Sequence, residues 1–206
     1  FPFDTSSPFE EEEQEFEQTS FFKDVADQID NLIPVFKVPS VNDKVFKDIV
    51  KEQVAELGLV FGCGKIQPSV FQMFKFGLVN VHRGISNLYR GLDSHLWAVY
   101  CDDYNNIGVT LHFIEERLDT GDILAQKKIS YQSSDRIEHL RYKTTLLATE
   151  MMIEVVSGML RGEHKGQKQQ DIGRYYSAMS KEKKALCEKK FQSFIERKFV
   201  EEFSQK

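Results

Sequence analysis

At 206 residues, with 41% hydrophobic and 12% aromatic content, the chain is long enough for one domain with a sizeable core and too short for two full α/β domains. A net charge of −5 gives no global basic footprint for nucleic acid, and no apolar run approaches the roughly 20 residues that a membrane-spanning helix needs. Cys63, Cys101 and Cys187 lack paired spacing, so neither a disulfide framework nor a metal site is expected, and a reducing, cytoplasmic setting fits best.

The opening, FPFDTSSPFEEEEQEFEQTS, starts without Met and carries an acidic run. Its like charges repel, and it is read as a solvated segment or the exposed face of a short helix. From Asp43 onward Val45, Phe46, Ile49, Val50, Val54 and Leu57 recur at helical spacing, with Asn42 or Asp43 available as N-cap. LGLVFGCG then reads as a strand buried on both faces. Pro68 marks a helix start, Gly77 a turn, and LVNVH a second buried strand, which places His82 at a strand's C-terminal end.

GLDSHLWAVYCDD predicts a helix with Leu92, Leu96, Val99 and Tyr100 on one face, and IGVTLHFIE alternates Val109, Leu111 and Phe113 as a strand does. GDILAQKKISY is a further strand. The longest helix is predicted over SSDRIEHLRYKTTLLATEMMIEVVSGMLRG, capped by Ser134 or Asp135, with Glu138 in its first turn and Gly162 just past its end. The polar tail from Glu163 turns into a Lys- and Glu-rich helical pattern, expected to pack outside the main core. Helices alternating with strands define an α/β domain.

In open α/β sheets, ligands sit beyond the carboxyl ends of the strands. Asn80 and His82 share a strand face because side chains repeat every two residues, while Val79 and Val81 point to the core. An amide donor beside an imidazole is a pairing suited to oxyanion stabilisation and proton transfer. Asp119, in the turn RLDTGDI, is placed to orient His82 or raise its pKa. His112 is read as structural, with substrate contact as the alternative; His139 and His164 are read as surface residues. GRYYSAM, residues 173 to 179, could close over an acceptor or stack on a base, or equally pack the tail on the core.

GLVNVH with YRG, followed by GVTLHFIEERLDTGDILAQ, resembles the signature of the folate-dependent formyltransferases, the family of glycinamide ribonucleotide, methionyl-tRNA and amino-sugar formyltransferases. The resemblance covers roughly residues 55 to 160. It implies an open, mostly parallel Rossmann-like sheet with helices on both faces, and a catalytic triad falling on Asn80, His82 and Asp119. It implies N10-formyltetrahydrofolate as formyl donor, held by Gly64, Lys65 and Ile66 and by Glu116 and Leu118, and a primary amine as acceptor. A catalytic domain over residues 1–162 and a C-terminal extension over 163–206 are expected, with a homodimer as a possible assembly and no nucleic-acid or membrane partner.

The chain departs from the family after His82, where HRGISNLYRG replaces the common His-Pro-Ser-Leu-Leu-Pro. That loop borders the acceptor site, so Arg83, Tyr89, Arg90 and Gly91 are the expected substrate-binding residues. YRG resembles the sugar-modifying branch, and GLDSH with His95 resembles the purine branch. Nothing before Phe21 resembles the family's opening strand and Gly-rich turn, so the sheet is expected to lack its first strand or strands, with residues missing upstream of Phe1. The leading expectation is N-formylation of an amino-sugar nucleotide, because the chain stops short of a tRNA-binding barrel. The alternatives are a glycinamide ribonucleotide formyltransferase, a formyltetrahydrofolate hydrolase and a catalytically silent binding protein.

Overall fold

The computed structural model describes residues 3–22, 33–163 and 165–204. Four strands form the main sheet in the order β1 (Gly58–Phe61), β2 (Leu78–His82), β4 (Gly108–Phe113), β5 (Ile123–Lys128). β1 and β2 are parallel, β4 is antiparallel to β2, and β5 is antiparallel to β4. Three of these strands therefore run the same way, and β4 alone is reversed. The mostly parallel α/β sheet expected from the sequence is what folds, and the reversal follows from the short turn between β4 and β5, which can only join antiparallel neighbours.

Alternation along β2 sends successive side chains to opposite layers. Leu78 joins Val60, Val50 of α2 (Lys44–Glu52) and Val70 of α3 (Pro68–Phe71) on one face. Val79 joins Val109, Leu111 and Leu124, with Ala148, Met151 and Val155 of α5 (His139–Leu160), on the other. Pro68 opens α3 as expected, and Gly162 follows α5 with φ of 73°, the left-handed conformation that suits glycine at a helix end.

Several local expectations fail for identifiable reasons. β1 is an outer strand of the described sheet, so Leu59 and Phe61 are about half exposed rather than buried on both faces. α2 stops at Glu52, and Val45 and Val54 face solvent. Among the described residues no strand precedes β1.

The acidic opening is not simply solvated. It forms α1 (Glu10–Phe22), whose Glu13 is buried and whose Glu17 pairs with Arg141 of α5 at 2.9 Å. His139, read as a surface residue, stacks on Phe16 at 4.2 Å between ring centroids. His164 lies outside the described residues.

The tail also departs from expectation by completing a core. α6 (Lys181–Ser204) lies against α4 (Ser94–Tyr100) and buries Cys187, Phe191 and Ile195 with Leu96, Ala98 and Val99. A short strand, β6 (Arg174–Tyr176), pairs in parallel with β3 (Tyr89–Gly91). Tyr176 stacks on Trp97 and Tyr89, which settles its side chain as packing, whereas Tyr175 stays half exposed.

Candidate active site

The face of β2 that carries Leu78 also carries Asn80 and His82, and the antiparallel register sets His112 opposite Asn80 and Thr110 opposite His82. Polar side chains thus gather where the sheet meets the loops after β2 and β4. His82 is only 5% exposed. Its Nε2 lies 2.7 Å from the Tyr89 carbonyl oxygen, which can only accept, so Nε2 carries a proton. The other nitrogen, Nδ1, faces Asp119 Oδ1 at 3.7 Å.

Asp119 adopts φ of 54°, a left-handed conformation that Asp tolerates better than most residues and that turns its carboxylate inward. Oδ2 accepts the Gly91 N–H at 2.8 Å, and the main-chain carbonyl accepts Gln169 Nε2 at 3.1 Å. Gln169 also donates to the Gly121 carbonyl at 2.8 Å, so a residue from beyond α5 braces the turn that holds the carboxylate. Oδ1 stands between two imidazoles, with His112 Nε2 at 3.5 Å.

The loop after His82 is organised by Thr110. Its hydroxyl donates to the Gly84 carbonyl at 2.7 Å and accepts the Ser86 N–H at 3.1 Å. A Cβ on Gly84 would come within 2.8 Å of His82 Nε2 and 2.7 Å of the Ser94 Cβ. The glycine that departs from the family pattern is therefore what lets this loop close over the imidazole.

Burial pulls the His82 pKa below its usual value, outweighing the nearby Asp119 carboxylate and the bond to Tyr89. The expected raising by Asp119 is thus overcome. Burial pushes Asp119 the other way, but the neighbouring His112 and His82 rings and the Gly91 N–H together hold it down to about 2. At neutral pH the site pairs an ionised carboxylate with a neutral imidazole whose Nδ1 is free to take a proton.

A recess of about 50 Å³ opens beside these groups, lined by Val60, Gly64, Lys65, Ile66 and Leu118 together with Asn80, His112 and Asp119. Four of the five residues expected to hold the donor meet here. Glu116 is exposed and its neighbours Glu115 and Arg117 line the recess instead. Asn42, considered as a helix cap, bridges the Lys65 carbonyl and the Gln67 N–H at 2.9 and 2.8 Å and so shapes this wall.

The four expected acceptor residues support the site from behind. Arg83 donates to Thr145 Oγ1 and lies over the Phe61 ring, on the α5 side of the sheet. Tyr89 contributes its carbonyl, while its hydroxyl donates to Asp103. Arg90 is held by the Gly173 and Leu118 carbonyls, and Gly91 by Asp119.

Sequence reasoning missed His112 as a member of the site, although its alternation out of phase with Val109 and Leu111 put it on the sheet's second face. Gln169 left no signal, because its role depends on a segment folding back from far along the chain.

An open α/β sheet with an Asn, a His and an Asp gathered beyond a strand end defines an α/β domain with a ligand site at its sheet edge, and comparison with known proteins makes the class specific. A model of the formyl transferase family matches residues 8–156, and the chain belongs to that family. It is 33% identical over 131 residues to a methionyl-tRNA formyltransferase of Thermodesulfovibrio yellowstonii, covering 63% of this chain and 42% of that relative. A structure of the formyltransferase PseJ of Anoxybacillus kamchatkensis, with UDP-4,6-dideoxy-4-formamido-L-AltNAc and tetrahydrofolate, superposes with a TM-score of 0.53 at 26% identity, covering 59% of this chain and 64% of that one. A 4-N formyltransferase of Francisella tularensis shares the fold, with a TM-score of 0.57 at 22% identity over 78% of this chain and 61% of that one. The chain thus spans less than two thirds of each.

Proposed function

We propose that this chain carries the transfer of a formyl group from N10-formyltetrahydrofolate to a primary amine, with Asn80, His82 and Asp119 as the catalytic residues. The observation that carries the reading is that Asn80 and Asp119 line one recess with Gly64, Lys65, Ile66 and Leu118, while His82 stands beside it with Nδ1 3.7 Å from Asp119 Oδ1. Apolar side chains interleaved with a few placed polar groups are what a small-molecule pocket commonly presents.

The amine attacks the formyl carbon, and a carbon–nitrogen bond forms as the carbonyl oxygen takes up charge. A donor N–H of Asn80 beside the recess is suited to stabilise that oxygen. The attacking nitrogen must lose a proton. His82 Nδ1, directly or through water, is the unprotonated nitrogen that can receive it, and the Asp119 carboxylate stabilises the imidazolium so formed. When the bond from the formyl carbon to N10 breaks, that proton passes to N10, leaving tetrahydrofolate and a formamide.

For the acceptor we favour an amino-sugar nucleotide. PseJ, the relative at 26% identity, is described in complex with a formamido sugar nucleotide. Methionyl-tRNA is the second reading, favoured by the name of the relative at 33% identity. Tetrahydrofolate release measured with amino-sugar nucleotides, glycinamide ribonucleotide and charged methionyl-tRNA separates them. Turnover with a sugar nucleotide supports the first reading; turnover with methionyl-tRNA alone replaces it; folate release with water alone points to a hydrolase. Folate binding without release under any of these conditions would leave a silent binding protein.

A further inference from the structure

The strand register brings a fourth side chain to the site, and its hydrogen bonds settle where its proton sits. His112 Nδ1 lies 2.8 Å from the Phe113 carbonyl oxygen. A carbonyl only accepts, so Nδ1 bears the hydrogen, and in the neutral ring Nε2 is left as an acceptor. Facing that bare nitrogen at 3.2 Å is Asn80 Nδ2. The flipped amide would set an oxygen lone pair against a nitrogen lone pair, so the amide orientation is dictated by the ring.

The geometry points to His112 as a positioning residue: its Nε2 holds the Asn80 amide by one N–H and leaves the other N–H as the donor beside the recess. His112 is 2% exposed, so water does not compete for Nε2. Both partners sit on hydrogen-bonded strands, β2 and β4, directly opposite one another, which fixes their spacing more firmly than loop residues could. A second proton on the ring would convert Nε2 into a donor. Its acceptor would then be Asp119 Oδ1 at 3.5 Å, and Asn80 would have to turn its oxygen inward. The amide thus keeps its donor outward only while Nε2 stays bare.

This inference rests on the formyl-transfer reading of Asn80, and two measurements keep the two apart. Nitrogen-15 NMR of histidine-labelled protein, with His112→Gln for assignment, is expected to show at neutral pH a ring protonated on Nδ1 and bare on Nε2. A proton on Nε2 overturns the proposal. With the amine that turns over fastest, His112→Phe is expected to lower kcat on the order of 100-fold, since a misaimed group costs about that much. The KM for N10-formyltetrahydrofolate should stay within about twofold. His112→Gln, whose carbonyl oxygen can accept from Asn80, should recover most of the rate.

In an Asn80→Ala background His112→Phe should cost nothing further, because residues acting through one contact are not additive. Full kcat in His112→Phe, or an undiminished loss in the Asn80→Ala background, overturns the positioning role. If no amine turns over in the unaltered protein, the formyl-transfer reading falls, while the NMR result still decides how His112 holds Asn80.

Discussion

In the proposed reaction, Asp119 is asked to act through both its charge and its backbone. The left-handed φ of 54° means that Asp119→Ala would remove the carboxylate and place a poorly suited residue in a strained position. Asp119→Asn keeps the conformation, since Asn tolerates that region as Asp does, and can still accept the Gly91 N–H. The expected outcome is that Asp119→Asn lowers kcat by about 10²- to 10⁴-fold, the range of a lost proton-transfer partner, with melting temperature little changed. Asp119→Ala should lose both. Unaltered turnover in Asp119→Asn would remove the carboxylate from the mechanism.

Among the elements, α1 carries the least comfortable charge. Burial raises the Glu13 pKa to about 7, against the pull of Arg141, Arg83 and Lys184 and alongside the repulsion of Glu17. A carboxyl whose folded pKa exceeds its unfolded value stabilises at low pH and loses that contribution as pH rises through the folded value. Relative to Glu13→Gln, the natural chain should therefore lose up to roughly 3 kcal/mol between pH 5 and pH 8, from the linkage between pKa and stability. Denaturant melts of both proteins across that range provide the check, and parallel curves would mean that Glu13 is not held as the structure has it.

The same scale shows what a sequence can disclose. β2 was legible because LVNVH ends a buried run with polar residues two apart, and α3 because Pro68 fits the first turn of a helix. α1 was not: a run of glutamates looks solvated, and only the Arg141 and Arg83 side chains, more than sixty residues away, show why one of them is buried. His112 was visible as a strand residue but not as a partner of Asn80, because the pairing of β4 with β2 is a long-range fact. The β4–β5 register also shifts between Leu111 and His112, a bulge of the sort that re-aims side chains beside active sites.

Across the whole molecule, the core that α6 completes is continuous with the site through β3 and β6. Phe191 is fully buried there, against Phe194 and Tyr131, so Phe191→Ala should cost about 3–5 kcal/mol. Because Gln169 and Gly173 lie on the path from α5 to α6 and brace Asp119 and Arg90, activity should fall at a lower denaturant concentration than α5 helicity. Loss of both at one concentration would show that this layer does not yield first.

The three thiols sit in three different surroundings: Cys63 is exposed and borders the recess, Cys101 is exposed elsewhere, and Cys187 is sealed in the core. The protein therefore carries its own occupancy reporter, with a reference and a silent blank in the same chain. A maleimide should modify Cys63 and Cys101 at once and spare Cys187, and a saturating folate analogue should slow the Cys63 reaction alone. Equal slowing of both exposed thiols, or of neither, would place the pterin outside this recess. Mass spectrometry after a timed quench reads the answer before any acceptor is known.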